Sequence, residues 1–244
     1  VPESIKVVFK GKPGPYVTGK DLILEIIRIL GVDGALYKAL EFTGDTIQYW
    51  SMDDRFSLCN MAIEAGAKNG IVAYDEITKE FLDTRESLRA EPKIHYSDAD
   101  AVYCQEIIID VEALNPVIAY PFLPSNGHSV NQAVEDNIRV DQVFIGSCTN
   151  GRLSDFKVAS EILKDKKVAR HVRLIVTPGT QKILRDAQKA GYIDILIDAG
   201  AVVSNPTCGA CLGGYMGILG DGEVCISTTN RNFVGRMGSR SSKI

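Results

Sequence analysis

The chain has 244 residues, 45% hydrophobic and 24% charged, the balance of a globular protein with a buried core and room for one large or two modest domains. Its formal net charge is −4, from 27 basic against 31 acidic side chains, and its densest basic run, Lys164-Asp165-Lys166-Lys167, reads as a solvated helix end, so nucleic acid is a poor candidate partner. No apolar stretch approaches the ~20 residues that span a bilayer, and Val1-Pro2-Glu3-Ser4 lacks the charged and apolar parts of a secretion signal.

Strand-like and helix-like segments alternate, the pattern of an α/β protein. Ile5 to Phe9 reads as a strand, and Thr18 as the cap of an amphipathic helix from Asp21 to Ile27. A second helix is predicted over Ser51 to Ala65, a buried strand over Gly70 to Tyr74 and a third helix over Glu76 to Leu82. The polar stretch from Arg85 to Asp100, which contains Pro92, reads as loop, and Ile107-Ile108-Ile109 as a strand. Pro116, Pro121 and Pro124 then cluster, which predicts a boundary between a domain over residues 1–115 and one over 116–244. In the second, Val143 to Ile145 leads into a Gly/Ser/Thr turn, with a helix over Leu153 to Leu163, a strand over Val172 to Val176 and a helix over Gln181 to Lys189. Short strands follow at Val202-Val203 and Val224 to Ile226.

Six cysteines, at 59, 104, 148, 208, 211 and 225, are too sparse for a secreted disulfide scaffold. A close pair with a distant third points instead to metal or redox chemistry in the cytoplasm. Three polar segments follow predicted strands: Gly146 to Gly151, Asn205 to Gly214 and Thr229 to Arg236. Ligands of open α/β sheets sit at the carboxyl ends of strands, so the three loops suggest one shared site. Cys208 and Cys211 are close enough to ligate one centre, and Cys148 supplies a third thiolate from another loop. Three thiolates on an iron–sulfur cluster leave one iron open, the position that metal-ion catalysis requires. Structural zinc and a redox dithiol remain open as well; zinc would want a fourth ligand nearby, and His95, His128 and His171 have no second ligand-like neighbour. Cys59, Cys104 and Cys225 read as small buried residues in apolar surroundings.

Arg231 and Arg236, five apart in a turn-prone stretch, suit bidentate recognition of a di- or tricarboxylate, although surface ion pairing would also use them. Asn60 and Glu64 are four apart, so on an α-helix they share one face while Met61, Ile63 and Ala65 are available for packing. Such a pair either hydrogen-bonds a metal-bound water or faces solvent.

The segments Phe144-Ile145-Gly146-Ser147-Cys148-Thr149-Asn150-Gly151 and Asn205-Pro206-Thr207-Cys208-Gly209-Ala210-Cys211-Leu212-Gly213-Gly214 resemble the two cluster-binding signatures of the aconitase family. Asn230-Arg231-Asn232-Phe233-Val234-Gly235-Arg236 resembles its substrate-arginine segment, and Cys59 to Gly66 its Asn/Glu helix. The resemblance covers the whole chain and implies two three-layer α/β domains of the aconitase type. It implies that Cys148, Cys208 and Cys211 hold a [4Fe–4S] cluster, that Arg231, Arg236 and Asn230 bind substrate, and that Asn60 and Glu64 sit near the open iron and its water. The implied activity is a hydro-lyase acting on a small hydroxy acid, with the proton-abstracting base on a separate small subunit. Family members also carry upstream sequence, with histidines and an Asp-Ser-His segment that completes the site, and continue downstream. The chain is therefore expected to be a truncated piece that folds, lacks activity alone and can lose its cluster, leaving the three thiols open to oxidation. Some members of the family bind RNA without their cluster, a role the acidic balance and missing basic groove disfavour.

Overall fold

The computed structural model describes residues 2–84 and 92–244. The chain divides into two compact units, Val1–Ile118 and Ala119–Ile244. Residues 85–91 of the predicted loop lie outside the described residues, and residues 92–98 carry no regular structure.

The first unit is built on a parallel sheet in the order β3-β2-β1-β4. Strand β1 (Ser4–Lys10) buries alternate residues, Ile5, Val7 and Phe9, as a period of two requires. Helix α1 (Gly19–Leu30) starts where the Asp21 carboxylate accepts hydrogen bonds from the Thr18 N–H and Oγ1, both at 2.7 Å. The other oxygen of Asp21 accepts from the Val117 N–H at 2.7 Å; burial nevertheless pushes this carboxyl above its usual range. Strand β2 (Ala39–Gly44) is absent from the sequence reading. Its register sets Leu40 beside Ile5 and Phe42 beside Val7, and Phe42 stacks on Phe9 at 6.2 Å. Glu41 interrupts the apolar run that would mark a buried strand, and is matched by hydroxyl donors from Ser97 and Tyr103 at 2.7 and 2.9 Å.

Helix α2 (Met52–Asn60) is capped by Ser51, but the helix predicted through Ala65 changes pitch after Asn60 and continues as a 3-10 turn over Met61–Ala65. At three residues per turn, positions four apart no longer share a face. Glu64 is buried and Asn60 exposed, while Met61 and Ala65 pack and Ile63 does not. Strand β3 (Asn69–Val72), helix α3 (Glu76–Asp83) and strand β4 (Gln105–Asp110) complete the unit, and Val7 pairs with Ile107. Cys104, expected in the interior, is exposed: β4 is an edge strand, and the Cys104 thiol donates to the Ser4 carbonyl at 3.3 Å.

Arg55, buried on α2, grips both oxygens of Asp75, the N-cap of α3, at 2.6 and 2.7 Å, and donates to the Ile47 carbonyl at 3.1 Å. These bonds hold the Asp75 carboxyl at about 2, below its ordinary 3.8. A depressed carboxylate stabilises the fold fully above its unfolded value and loses that contribution as pH falls through the folded one. Asp75→Asn is therefore expected to flatten the loss of stability between pH 3.8 and about 2, read as the urea midpoint against pH. An unchanged acid limb in the variant would contradict this.

The division between units falls in strand β5 (Val117–Ala119); strand β6 (Gly127–Ser129) and helix α4 (Val130–Glu135) follow. The second sheet is also parallel. Strand β7 (Gln142–Gly146) runs into a single helical turn, α5 (Ser147–Asn150), then helix α6 (Leu153–Leu163) and strand β8 (Arg173–Thr177). Helices α7 (Gln181–Lys189) and α8 (Tyr192–Ala199) precede strand β9 (Ala201–Val203), and β10 (Cys225–Ser227) closes the order β10-β7-β8-β9. The sequence reading misses α8, whose Ile-Leu-rich run between two glycines looks like strand. Its buried Ile193, Leu196 and Ala199 nonetheless recur every three residues. Leu174 and Val176 pack with Phe156 and Leu196 in one core, and Phe144 and Ile175 with Ala210, Leu219, Cys225 and Met237 in another. Cys225 is thus the packed residue that its strand neighbours suggested.

Candidate metal and substrate site at the carboxyl edge of the second sheet

The parallel ladder brings the carboxyl ends of β7, β8, β9 and β10 to one edge. The chain runs from β7 through β8 to β9 in one direction and then returns to place β10 on the other side of β7. That reversal between β7 and β10 is a topological switch point, where open sheets bind ligands.

The loop after β7 turns sharply. Gly146 has φ +132°, and a Cβ there would lie 1.9 Å from the Thr177 carbonyl oxygen. Ser147 follows at φ +67°, a left-handed conformation seldom adopted by a residue with a side chain. The turn leaves Ser147 and Thr149 buried and Cys148 exposed. Asp155 in the first turn of α6 holds the loop, accepting from Asn150 Nδ2 at 3.1 Å and the Arg152 N–H at 2.9 Å. Beyond β9, Thr207 Oγ1 accepts from the Gly209 N–H at 3.2 Å, and Cys208 caps the 3-10 turn Gly209–Leu212. Cys208 is exposed and Cys211 buried. Beyond β10, Thr228 binds the β10-facing edge of β7 twice, its N–H donating to the Phe144 carbonyl at 3.0 Å and its Oγ1 accepting from the Gly146 N–H at 2.9 Å.

The second and third loops meet. The Cys211 thiol donates to Asn230 Oδ1 at 3.7 Å, and a Cβ on Gly213 would come within 3.1 Å of the Arg236 carbonyl oxygen. Arg231 and Arg236 are half-buried on the third loop. Among the described residues, no three His, Cys, Asp or Glu side chains are gathered closely enough to hold a metal ion. What fits an iron–sulfur centre is the donor set: thiols at 148, 208 and 211, on loops that leave strands of one sheet at one edge. Asn60 and Glu64 belong to the first unit, as described above.

Sequence reasoning missed a second layer of polar groups. Among the described residues, Ser147 Oγ, Asn150 Oδ1, Asn232 Oδ1 and Arg236 Nε belong to the buried side-chain atoms that have no hydrogen-bond partner, and these four lie on the two loops that flank the switch point. Buried polar atoms are nearly always paired, so these loops are built for contacts that the chain does not make with itself. The signal was present only as polar residues beside a cysteine or arginine.

A parallel α/β unit with thiols and arginines on the loops at one sheet edge defines a class of ligand-binding α/β proteins. A sequence model of the aconitase family (aconitate hydratase) matches residues 1–244, and the chain belongs to that family. It is 86% identical over 248 residues to the 3-isopropylmalate dehydratase large subunit of Aliarcobacter butzleri (strain RM4018), covering 100% of this chain and 58% of that protein. It is 76% identical over 244 residues to the 3-isopropylmalate dehydratase large subunit of Sulfurimonas denitrificans (strain ATCC 33889 / DSM 1251), again with 100% and 58% covered. The chain thus spans 58% of the length of these curated relatives.

Burial divides the thiols chemically. It pushes Cys59 up to about 11 and Cys225 up to about 12, keeping both protonated and inert, whereas Cys148 and Cys208 are exposed. In the metal-free chain at pH 8, iodoacetamide is expected to modify Cys148 and Cys208 well before Cys59 and Cys225, as resolved by peptide mass spectrometry. Cys225 reacting as fast as Cys208 would contradict the burial described here.

Proposed function

We propose that this chain is the cluster- and substrate-binding part of the large subunit of an iron–sulfur hydro-lyase that interconverts 2- and 3-isopropylmalate, by loss and re-addition of water, in leucine biosynthesis in the cytoplasm. The observation that carries the reading is the meeting of the Cys208–Cys211 loop with the Asn230–Arg236 loop at 3.7 Å, on one edge of one sheet, in a chain 86% identical to a protein of that name.

In this reading Cys148, Cys208 and Cys211 hold a [4Fe–4S] cluster. When bound, such a cluster supplies a Lewis acid for the departing hydroxyl, because one iron has no protein ligand. The remaining work falls to side chains. Arg231 and Arg236 clamp the carboxylates through planar, bidentate guanidinium contacts, which fixes the carbon that loses water. Asn230, whose Oδ1 accepts from the Cys211 thiol in the metal-free chain, is released from that bond when the thiol loses its proton on ligation and contributes to substrate binding. Asn60 and Glu64 are assigned to the departing water by the family resemblance alone. No group in this chain is given the role of base; that proton goes to the isopropylmalate dehydratase small subunit, the proposed partner.

The test is turnover by the full-length large subunit, loaded with iron and sulfide and combined with its small subunit. 2-Isopropylmalate, citramalate and homoaconitate are compared as substrates, since homoaconitase and a citramalate-type isomerase are the neighbouring assignments. Isopropylmalate is expected to be preferred, and Arg231→Lys or Arg236→Lys to lower kcat/KM by about a hundredfold, because an ammonium cannot replace a bidentate fork. Full activity in both lysine variants, or preference for another acid, would overturn the assignment.

A further inference from the structure

Asn232 lies between the two arginines of the third loop and is 6% exposed. Only one side of its amide is used. Nδ2 donates to the Tyr120 carbonyl at 2.8 Å, while Oδ1 is buried and accepts no hydrogen bond from the described residues. With Nδ2 tied to an acceptor, the amide cannot flip without losing that bond, so Oδ1 is held in one direction.

The anchor is itself fixed. The Tyr120 N–H donates to the Asn126 carbonyl at 2.8 Å, its phenol donates to Asp136 Oδ2 at 2.5 Å, and its ring lies against His128 with centroids 4.5 Å apart. Asp136 is braced from its other oxygen by Gln132 Nε2 at 3.0 Å. On the loop held by this anchor, Arg236 keeps a buried Nε that has no hydrogen-bond acceptor among the described residues. This buried acceptor at Asn232 and buried donor at Arg236 therefore sit four residues apart on one loop. Each costs free energy until it is satisfied.

Resting on the reading of the site given above, we infer that Asn232 is a positioning residue for Arg236. Tied to Tyr120, it presents Oδ1 as the acceptor that the Arg236 Nε–H meets, directly or through one water, when a substrate carboxylate occupies the outer nitrogens. The guanidinium is then oriented from behind while its fork faces substrate. The chain of support runs from Asp136 through Tyr120 and Asn232 to Arg236, and none of the first three residues touches substrate.

The experiment uses the full-length large subunit with its small subunit and measures KM and kcat for isopropylmalate, iron content and thermal midpoint. Asn232→Ala is expected to raise KM about tenfold, the worth of one hydrogen bond to a charged group, with kcat and iron content close to wild type and a modest fall in midpoint as the Tyr120 carbonyl loses its donor. In an Arg236→Lys background the same substitution is expected to have almost no further effect on KM, because the group it positions is gone. Tyr120→Phe removes the phenol bond to Asp136 and keeps the carbonyl; it is expected to raise KM about threefold and decides the matter if Asn232→Ala does not fold. An unchanged KM, a fall in kcat that tracks lost iron or a lower midpoint, or full additivity with Arg236→Lys would each overturn the role of Asn232. Absence of turnover by the wild-type pair on any hydroxy acid would instead overturn the reading of the site.

Discussion

The parallel pairing of β7 with β8 on one side and β10 on the other is the constraint from which the rest of the site descends. Parallel strands must be joined by crossovers, so each strand delivers the next loop to the same edge. That is how residues some sixty positions apart, Cys148 and Cys208, leave the sheet on one side, with the arginine loop beside them. The ladder also fixes the tightest point of the loop after β7: only a residue without Cβ can approach the Thr177 carbonyl as Gly146 does. The turn that follows buries Ser147 and Thr149 and sends Cys148 outward.

The environments of the cysteines sort them by use. Cys225 fills the core between Phe144 and Met237 and stays protonated there. The thiols proposed as ligands are on loops, two of them exposed and the third bonded to Asn230. Thiolate ligation needs sulfurs that can lose a proton and reach an inorganic centre, which a packed strand residue cannot do. In the proposed function the unpaired atoms of Ser147, Asn150, Asn232 and Arg236 have the same origin: a site that meets a charged, hydroxylated guest must hold groups that the fold itself leaves unmatched.

Much of this was legible in the residues. The apolar runs of β1, β4, β7 and β8 and the cap of α1 follow local rules, and the three polar loops after strands pointed to one edge. What escaped depended on tertiary partners. Strand β2 carries Glu41, whose charge is tolerated because Ser97 and Tyr103 reach it from distant sequence. Helix α8 is rich in isoleucine, and packing against its neighbours overrides its strand-like composition. The pitch change after Asn60 separates Asn60 from Glu64 in exposure, something an i,i+4 count has no means of registering. Asn232 escaped for a different reason: the role inferred for it comes from an atom that has no partner among the described residues, and no sequence pattern encodes that.

In the proposed function three thiolates from two loops hold one cluster and leave one iron without a protein ligand. Mössbauer spectroscopy of iron reconstituted into the full-length subunit reads this directly. The predicted spectrum has one iron distinct from the rest and perturbed by added isopropylmalate, and it is lost in Cys148→Ser, Cys208→Ser or Cys211→Ser but kept in Cys225→Ser. Equivalent irons insensitive to substrate, or a cluster that survives loss of Cys148, would contradict it.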